Sequence, residues 1–442
     1  MDKQSKIANE RERGLAKWSS TTKIGLLLQL LIVLVLWFGP FGLHGQSFEN
    51  RDFLYEETIR SVQFTIPGLQ TAYPIISLES GRLDLHFDEI GNDARYLRYK
   101  IEHCTKDWEP SELEELEYIQ GFNGEELRDY AFSVNTRIPY IHYRLSIPNR
   151  DLRWTKSGNY LLHVYDEDTN EPLLTQRFMV VENVMKVFGD LSKTADVGLI
   201  RTHHEIDFVV KHKDIQISNP HQEITATILQ NGRWDNAIMN IPPFFIQKEE
   251  LIFNYQGKIV FPAGKEFRNV DFRSLEYTSR NIAEIDEYDD AFEVKMMRDE
   301  KRTYHNYHTD KDFNGQFAIQ SHDDPDFDVE GEYAYVLFSL NSVQPLYDQE
   351  VYLVGGFSDW QLAPAYKMEY SERYQTYMQE VLLKQGVYDY AYAVIGENGG
   401  LDMSPLEGDW HETENYYTIL IYYRPFGERY DRLVAVTTLG EK

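Results

Sequence analysis

The sequence predicts an all-β protein of tandem β-sandwiches behind an N-terminal export segment. Short apolar or alternating runs recur between turn residues such as Ser80-Gly81, Pro148-Asn149 and Ser157-Gly158-Asn159, the pattern of antiparallel strands. Stretches of helical period are few, which favours sandwiches of immunoglobulin-like build. The 442 residues include 31 Tyr, 24 Phe and 7 Trp, enough apolar material for two or three cores. Cys104 is the single cysteine, so no internal disulfide forms and the cores must carry the stability.

The N-terminus comes first in the argument. Lys3, Lys6, Arg11, Arg13, Lys17 and Lys23 precede an apolar run over 24–41 that is interrupted by Gly25, Gln29 and Gly39-Pro40. A basic stretch, an apolar stretch and a small-residue site at Gly45-Gln46 read as a signal peptide over 1–45. About 20 apolar residues cross a bilayer, so a retained anchor stays open as the alternative. No Cys follows the run closely, which excludes a lipoprotein anchor there. Six basic and three acidic residues lie before Gln46, which leaves the remainder a formal charge of −31 against −28 for the whole chain. Such a surface repels nucleic acid and anionic headgroups and favours partners with neutral or basic faces.

Three sets of strands follow. The first, SVQFTI, IISL, LDLHFDEI, YLRYKIEHC, YIHYRLSI, YLLHVYDE and RFMVVE, is assigned to an N-terminal sandwich over 56–183. After a hinge-like stretch near Gly189-Asp190 the second set comprises HEIDFVVKH, EITATILQN, LIFNYQ, KIVFPAG, FRNVDFRSLEYTS and FEVKMM, assigned to a middle sandwich over 184–325. The acidic, Pro-containing stretch HDDPDFDVEGE over 322–332 reads as the next boundary. The third set, YAYVLFSL, EVYLVGGFSDW, YQTYMQEVLL, GVYDYAYAVI and YYTILIYY, gives a C-terminal sandwich over 326–435. No repeat with the period of a solenoid or propeller is present.

Candidate chemistry is sparse. His103, Cys104 and Asp107 could be read as nucleophile, base and orienter, but close neighbours on an extended segment point to opposite faces, and Cys104 reads as a small buried hydrophobe. His203 and His204 with Glu205, and His305 with His308, lack a metal-ligand constellation and read as surface or turn histidines. The acidic runs EIDEYDD and DDPDFD lack the Asp-x-Asp-x-Asp-Gly loop of a calcium site and read as solvated loops. There is no phosphate-cradling glycine loop, no G-x-S-x-G elbow and no carboxylate pair set apart from the other acids, so an enzyme is disfavoured and no cofactor or metal is expected. VGGFSDW over 354–360 is different: an apolar strand runs into a Gly-Gly turn that presents Phe357 and Trp360. Such a turn either anchors a sandwich edge or offers an aromatic platform to a sugar.

On these residues the chain resembles the plug-protein family of the type IX secretion system of Bacteroidetes-type bacteria. The resemblance rests on Ser61-Val62-Gln63, Tyr73-Pro74-Ile75-Ile76, Leu83-Asp84-Leu85-His86-Phe87-Asp88, His103-Cys104 with Asp107-Trp108 and Pro110-Ser111, and Glu117-Tyr118-Ile119 with Gly121-Phe122. It continues through Phe132-Ser133 with Asn135-Thr136, Ser157-Gly158-Asn159-Tyr160, Arg177-Phe178-Met179-Val180-Val181-Glu182, Gln230-Asn231-Gly232-Arg233-Trp234-Asp235 and Ala263-Gly264 with Glu266-Phe267-Arg268, to Pro425-Phe426-Gly427-Glu428-Arg429-Tyr430. Order and number carry it, since no one of these short motifs is diagnostic. The cleavage site departs from the family pattern in lacking Ala before Gln46. The last third is also similar, through VGGFSDW and GVYDYAYAV, to the early-set sandwiches of glycogen- and starch-binding proteins.

The first resemblance implies a non-catalytic periplasmic protein, without cofactor, that docks on the periplasmic end of the outer-membrane β-barrel translocon and closes its pore when idle. It implies no nucleic acid partner and no membrane insertion once the signal is cleaved. Arg233 and Arg268, in family-like motifs, are candidate binding residues, as are Phe357 and Trp360. Trp108, Trp234 and Cys104 are expected to be structural, with each tryptophan packed within its own sandwich. The second resemblance leaves a carbohydrate-binding envelope protein as the alternative, and a hydrolase as a more distant one.

Overall fold

A computed structural model describes residues 47–213 and 215–440, so the signal-peptide reading of 1–45 lies outside the described residues. No helix among those described is long and apolar enough to cross a membrane. The all-β expectation holds, and from Phe48 onward the chain forms one compact unit.

The N-terminal sandwich follows directly from its alternation. In Leu83–Ile90 the residues Leu83, Leu85 and Phe87 are fully buried in the first core, while Asp84, His86 and Asp88 point to the other face, as a period of two requires. This strand lies between Ile59–Thr65 and Tyr140–Ile147, with Asp129–Phe132 at the far edge. The facing sheet runs Phe53–Leu54, Pro172–Val181, Gly158–Asp166, Leu97–Cys104 and Glu125–Leu127, with Ile75–Ser77 added in parallel to Pro172–Val181. Phe87, Tyr143, Tyr160 and Phe178 fill the space between the sheets.

The strand pairing corrects the two later boundaries. One sheet of the middle sandwich is Lys186–Lys193, His203–Lys211, Glu250–Phe253 and Phe245–Ile246, with Val260–Pro262 also on His203–Lys211. The other is Ile238–Ile241, Ile224–Gln230, Tyr417–Tyr423 and Arg432–Leu439. The C-terminal strands therefore return to the middle sandwich, where Tyr417, Ile419 and Ile421 join Ile206, Phe208 and Ile228 in one core. The predicted hinge at Gly189-Asp190 lies inside Lys186–Lys193, an edge strand paired along its length with His203–Lys211.

Between these halves the chain builds a third, inserted sandwich. One of its sheets is centred on Gly386–Ile395 and includes Arg268–Asp271, Phe317–Ile319, Val351–Val354 and Leu401–Asp402. The other is Ile282–Glu287, Phe292–Met296, Tyr333–Asn341, Thr376–Lys384 and Glu369–Ser371. Strands before and after residue 325 thus share one core, with Val270, Val294 and Phe317 beside Val336, Tyr388 and Tyr392. The stretch 322–332 is not a linker between sandwiches, although His322, Asp323, Pro325 and Asp326 are exposed as a solvated loop requires. Its polar groups are consumed locally: Asp323 accepts from the Leu275 amide at 3.0 Å and the Ser274 hydroxyl at 2.9 Å, and Glu332 accepts from the Arg137 amide at 2.8 Å. Charge and proline placed it on the surface, but its carboxylates cap backbone N–H groups there.

Candidate functional site

The three sandwiches meet at a junction built from three loops. The first is the turn after Leu97–Cys104. The Trp108 amide donates to the Thr105 carbonyl at 3.0 Å, and the Lys106 amide is held by Asp431 of the middle sandwich at 3.0 Å. Trp108 itself sits at φ 66°, a region that disfavours L-residues by roughly 1–2 kcal/mol. Its ring is offset by packing: it meets Trp234 edge to face at 4.9 Å, and the Arg177 guanidinium lies 4.7 Å from one indole and 5.3 Å from the other. Around them Cys104, Leu161 and Met179 of the N-terminal sandwich pack on Leu229, Leu420 and Leu433 of the middle one. The tryptophans therefore bridge two sandwiches, which corrects the expectation that each packs within its own. Burial pushes the Cys104 thiol well above its usual range, so it stays protonated in this apolar layer.

The second loop follows Ile224–Gln230. The Arg233 amide donates to the Gln230 carbonyl at 3.1 Å, with Asn231 at φ 52° and Gly232 at φ 67° between them. Two consecutive left-handed residues define a type I′ turn, for which Asn-Gly is the favoured pair. A Cβ on Gly232 would lie 1.7 Å from the Tyr73 ring, so only glycine lets the N-terminal sandwich close on the turn. The Tyr73 hydroxyl in turn accepts from Gln316 of the inserted sandwich at 3.4 Å.

The third loop is the Gly-Gly turn. Trp360 is 9% exposed, packed on Phe267 at 5.5 Å and covered by the Arg233 guanidinium at 4.5 Å. Phe357 packs on Tyr366 and Tyr388 at 5.6 and 6.0 Å. Of the two roles open to this turn, packing within the sandwich edge is the one found, with Arg233 lying over Trp360 and Phe357 against Tyr366 and Tyr388. Neither arginine is free for a ligand. Arg233 is 3% exposed and forks onto Asp235 at 3.0 and 2.6 Å. Arg268 is buried between Glu407, at 3.0 Å, and Asp299, at 2.7 Å.

The second and third loops border a cleft of about 870 Å³ whose walls come from all three sandwiches, among them Asp52, Arg60, Arg177, Trp234, Asp359 and Tyr366. Its charges are interlocked. The Arg177 amide donates to Asp52 Oδ1 at 2.7 Å and the Arg177 guanidinium to the Asn50 carbonyl at 3.1 Å. Burial raises Asp52 above its ordinary value against the pull of Arg177, and burial together with Asp52 pushes Asp359 up to about 8. Among the described residues no His or Cys lines the cleft, and the Ser358 hydroxyl is spent on the Gly355 carbonyl at 2.9 Å. The arrangement suits holding three bodies together and receiving a polar side chain or small ligand. Sequence reasoning missed Asp52, Arg60, Tyr73, Arg177 and Asp359 as a group; the motifs that hold Tyr73, Arg177 and Asp359 gave a signal, without showing that they converge.

The histidines differ too. His204, read as a surface or turn residue, is buried against the Tyr417 hydroxyl at 2.9 Å and the His411 carbonyl at 2.7 Å. Among the described residues, the group of His and carboxylate atoms close enough to share an ion is His86, His142 and Asp328, away from the cleft.

Comparison with known proteins gives the family. Residues 59–182 match the model of the type 9 secretion system plug protein first domain. A crystal structure of a hypothetical protein from Parabacteroides merdae is 33% identical, with a TM-score of 0.85 over 89% of this chain and 100% of that one. This chain belongs to the type IX secretion system plug protein family. The matched span is the N-terminal sandwich that carries Trp108 and Arg177, so the plug-family domain supplies one side of the junction. A role related to type IX secretion in the cell envelope goes with that membership. The C-terminal domain of the Streptococcus pyogenes antigen I/II-family protein AspA is 8% identical over 85% of this chain and 98% of that one, with a TM-score of 0.16, too low to bear on the fold. A comparison with curated proteins gives no match.

Proposed function

We propose that this plug-family protein docks, without catalysis, on the periplasmic end of the outer-membrane translocon barrel of the type IX system and occludes its pore while the channel is idle. The observation that carries the reading is the match of 59–182 to the plug first domain. The structure adds physical support. A stopper for a wide pore must not shear apart, and here three cores are fastened to one another by packed side chains rather than by linkers. The N-terminal and middle sandwiches share the Trp108–Trp234 layer. The N-terminal and inserted sandwiches are joined by the fully buried pair of Asp88 and Lys384 at 2.7 Å and by Gln70, which both donates to and accepts from the Ile319 backbone. A charge of −31 after Gln46 favours docking on a neutral or basic rim, with steering that salt screens over about 8 Å at physiological ionic strength.

The test is co-purification from detergent-solubilised outer membranes with the chain as bait. Recovery of the translocon barrel, weakening as salt rises, is the expected result. Recovery of no barrel, together with retention on an oligosaccharide matrix, overturns the reading in favour of a glycan binder.

A further inference from the structure

The outer face of Leu83–Ile90 and Tyr140–Ile147 carries a polar stripe that plug function does not explain. Strand register sets His142 opposite Asp88 and Arg144 opposite His86, so His86, Asp88 and His142 share the face turned away from the first core. The inserted sandwich closes over it with Tyr333, Lys384 and the stretch that holds Asp328. Asp88, 1% exposed, receives the Tyr333 hydroxyl and the Lys384 ammonium at 2.7 Å each on Oδ2 and His142 Nδ1 at 2.6 Å on Oδ1.

That arrangement fixes the proton on His142. With Nδ1–H donated to Asp88 Oδ1, Nε2 faces outward, toward His86 Nδ1 at 3.1 Å and Asp328 Oδ2 at 3.6 Å. His86 Nδ1 and Asp328 Oδ2 are 3.8 Å apart. Ligand atoms about 2.0–2.2 Å from a tetrahedral zinc ion lie about 3.3–3.6 Å from one another. The observed triangle brackets that spacing, so an ion at its centre needs shifts of only a few tenths of an ångström. A carboxylate behind a ligating histidine is the usual outer partner in such sites, and Asp88 occupies that place. His86 and Asp328 keep 31% and 24% side-chain exposure, which leaves a path and a fourth position open to solvent. Arg144, 3.9 Å from Asp328 and 43% exposed, already pairs with Asp129 and has room to turn away.

We propose that His86 Nδ1, His142 Nε2 and the Asp328 carboxylate form a binding site for one divalent transition-metal ion of the zinc class, oriented by Asp88. Two ligands come from the N-terminal sandwich and one from the inserted sandwich, so the ion clamps the two together and stabilises the assembled state by mass action.

The test uses the purified chain without a polyhistidine tag, stripped with chelator and titrated with Zn²⁺ against a chromophoric chelator, and with Co²⁺ for its visible absorption. The wild type is expected to bind one equivalent tightly, to give a tetrahedral Co²⁺ band and to melt several degrees higher with zinc. The double variant His86→Ala, Asp328→Asn changes two partly exposed side chains and is expected to melt like the stripped wild type while losing that equivalent and the band. Should the double variant fail to fold, His86→Ala alone is read, with at least a tenfold weaker Zn²⁺ affinity expected. Binding that survives these substitutions unchanged, or no wild-type binding at micromolar Zn²⁺, overturns the site.

Discussion

Trp108 and Trp234 meet edge to face at 4.9 Å across the boundary between the N-terminal and middle sandwiches, with the Arg177 guanidinium within 5.3 Å of both rings. The contact ties the turn over 105–109, where Trp108 is 3% exposed, to the type I′ turn at Asn231-Gly232. Truncating a buried aromatic to Ala removes about 3–5 kcal/mol, so Trp108→Ala is expected to lower the urea midpoint accordingly. In a double-mutant cycle with Trp234→Ala the two losses are expected to fall short of additivity by about 0.5–1.5 kcal/mol. Additive losses would show that the rings act separately.

Gly232 is expected to refuse a methyl group. Its φ of 67° and the Tyr73 ring 1.7 Å from an added Cβ leave no room, and overpacking typically costs about 1–3 kcal/mol. Gly232→Ala should therefore destabilise, and Tyr73→Ala in the same chain should recover part of the loss by clearing the space. Chemical denaturation of the three variants checks this; equal stability of Gly232→Ala and wild type would contradict the packing.

Much of this was legible beforehand, and the limits have physical causes. LDLHFDEI and YIHYRLSI alternate cleanly and form strands at the expected residues, because one face packs on a core. KVFGDLSK reads as hinge-like around Gly189-Asp190 because Lys186–Lys193 is an edge strand with mostly exposed side chains, so its pattern carries little burial signal. The insertion was illegible for another reason: nothing local in YYTILIYY says that Tyr417–Tyr423 pairs with Ile224–Gln230 rather than with its neighbours in sequence. Phe357 and Trp360 were recognised as a packing-or-platform turn, but Arg233 stacks on Trp360 only after that return. His86, His142 and Asp328 lie on three separate segments, and only strand register and domain closure bring them together.

Glu407 should govern part of the acid limb. Burial would raise its carboxyl, but Arg268 and Arg302 hold it down to about 2. A depressed carboxylate stabilises fully above its ordinary 4.5, and that contribution fades as pH falls from 4.5 toward 2. Glu407→Gln leaves Arg268 without its main partner, a change of the kind that costs about 3–5 kcal/mol, and should flatten the melting-temperature profile over that interval. A variant profile parallel to wild type would place the acid sensitivity elsewhere.

Asp359 works in the opposite sense. Burial and the neighbouring Asp52 raise its carboxyl from 3.8 to about 8, so the folded chain holds a proton there that the unfolded chain gives up. The associated stability is present below about 4 and is lost as pH rises through about 8. Asn suits the left-handed backbone at φ 48°, which makes Asp359→Asn a mild substitution. Its melting temperature relative to wild type is expected to climb between pH 5 and 9; a difference constant across that range would contradict the raised value.

The central claim, that this chain seals an idle secretion pore, is tested most directly by single-channel conductance of the purified translocon barrel in a planar bilayer, recorded before and after the chain is added to the periplasmic side. The account predicts that large-conductance openings are lost with saturating dependence on concentration, and that closure weakens as salt is raised. Openings that persist unchanged at concentrations where co-sedimentation shows the chain bound to the barrel would contradict it.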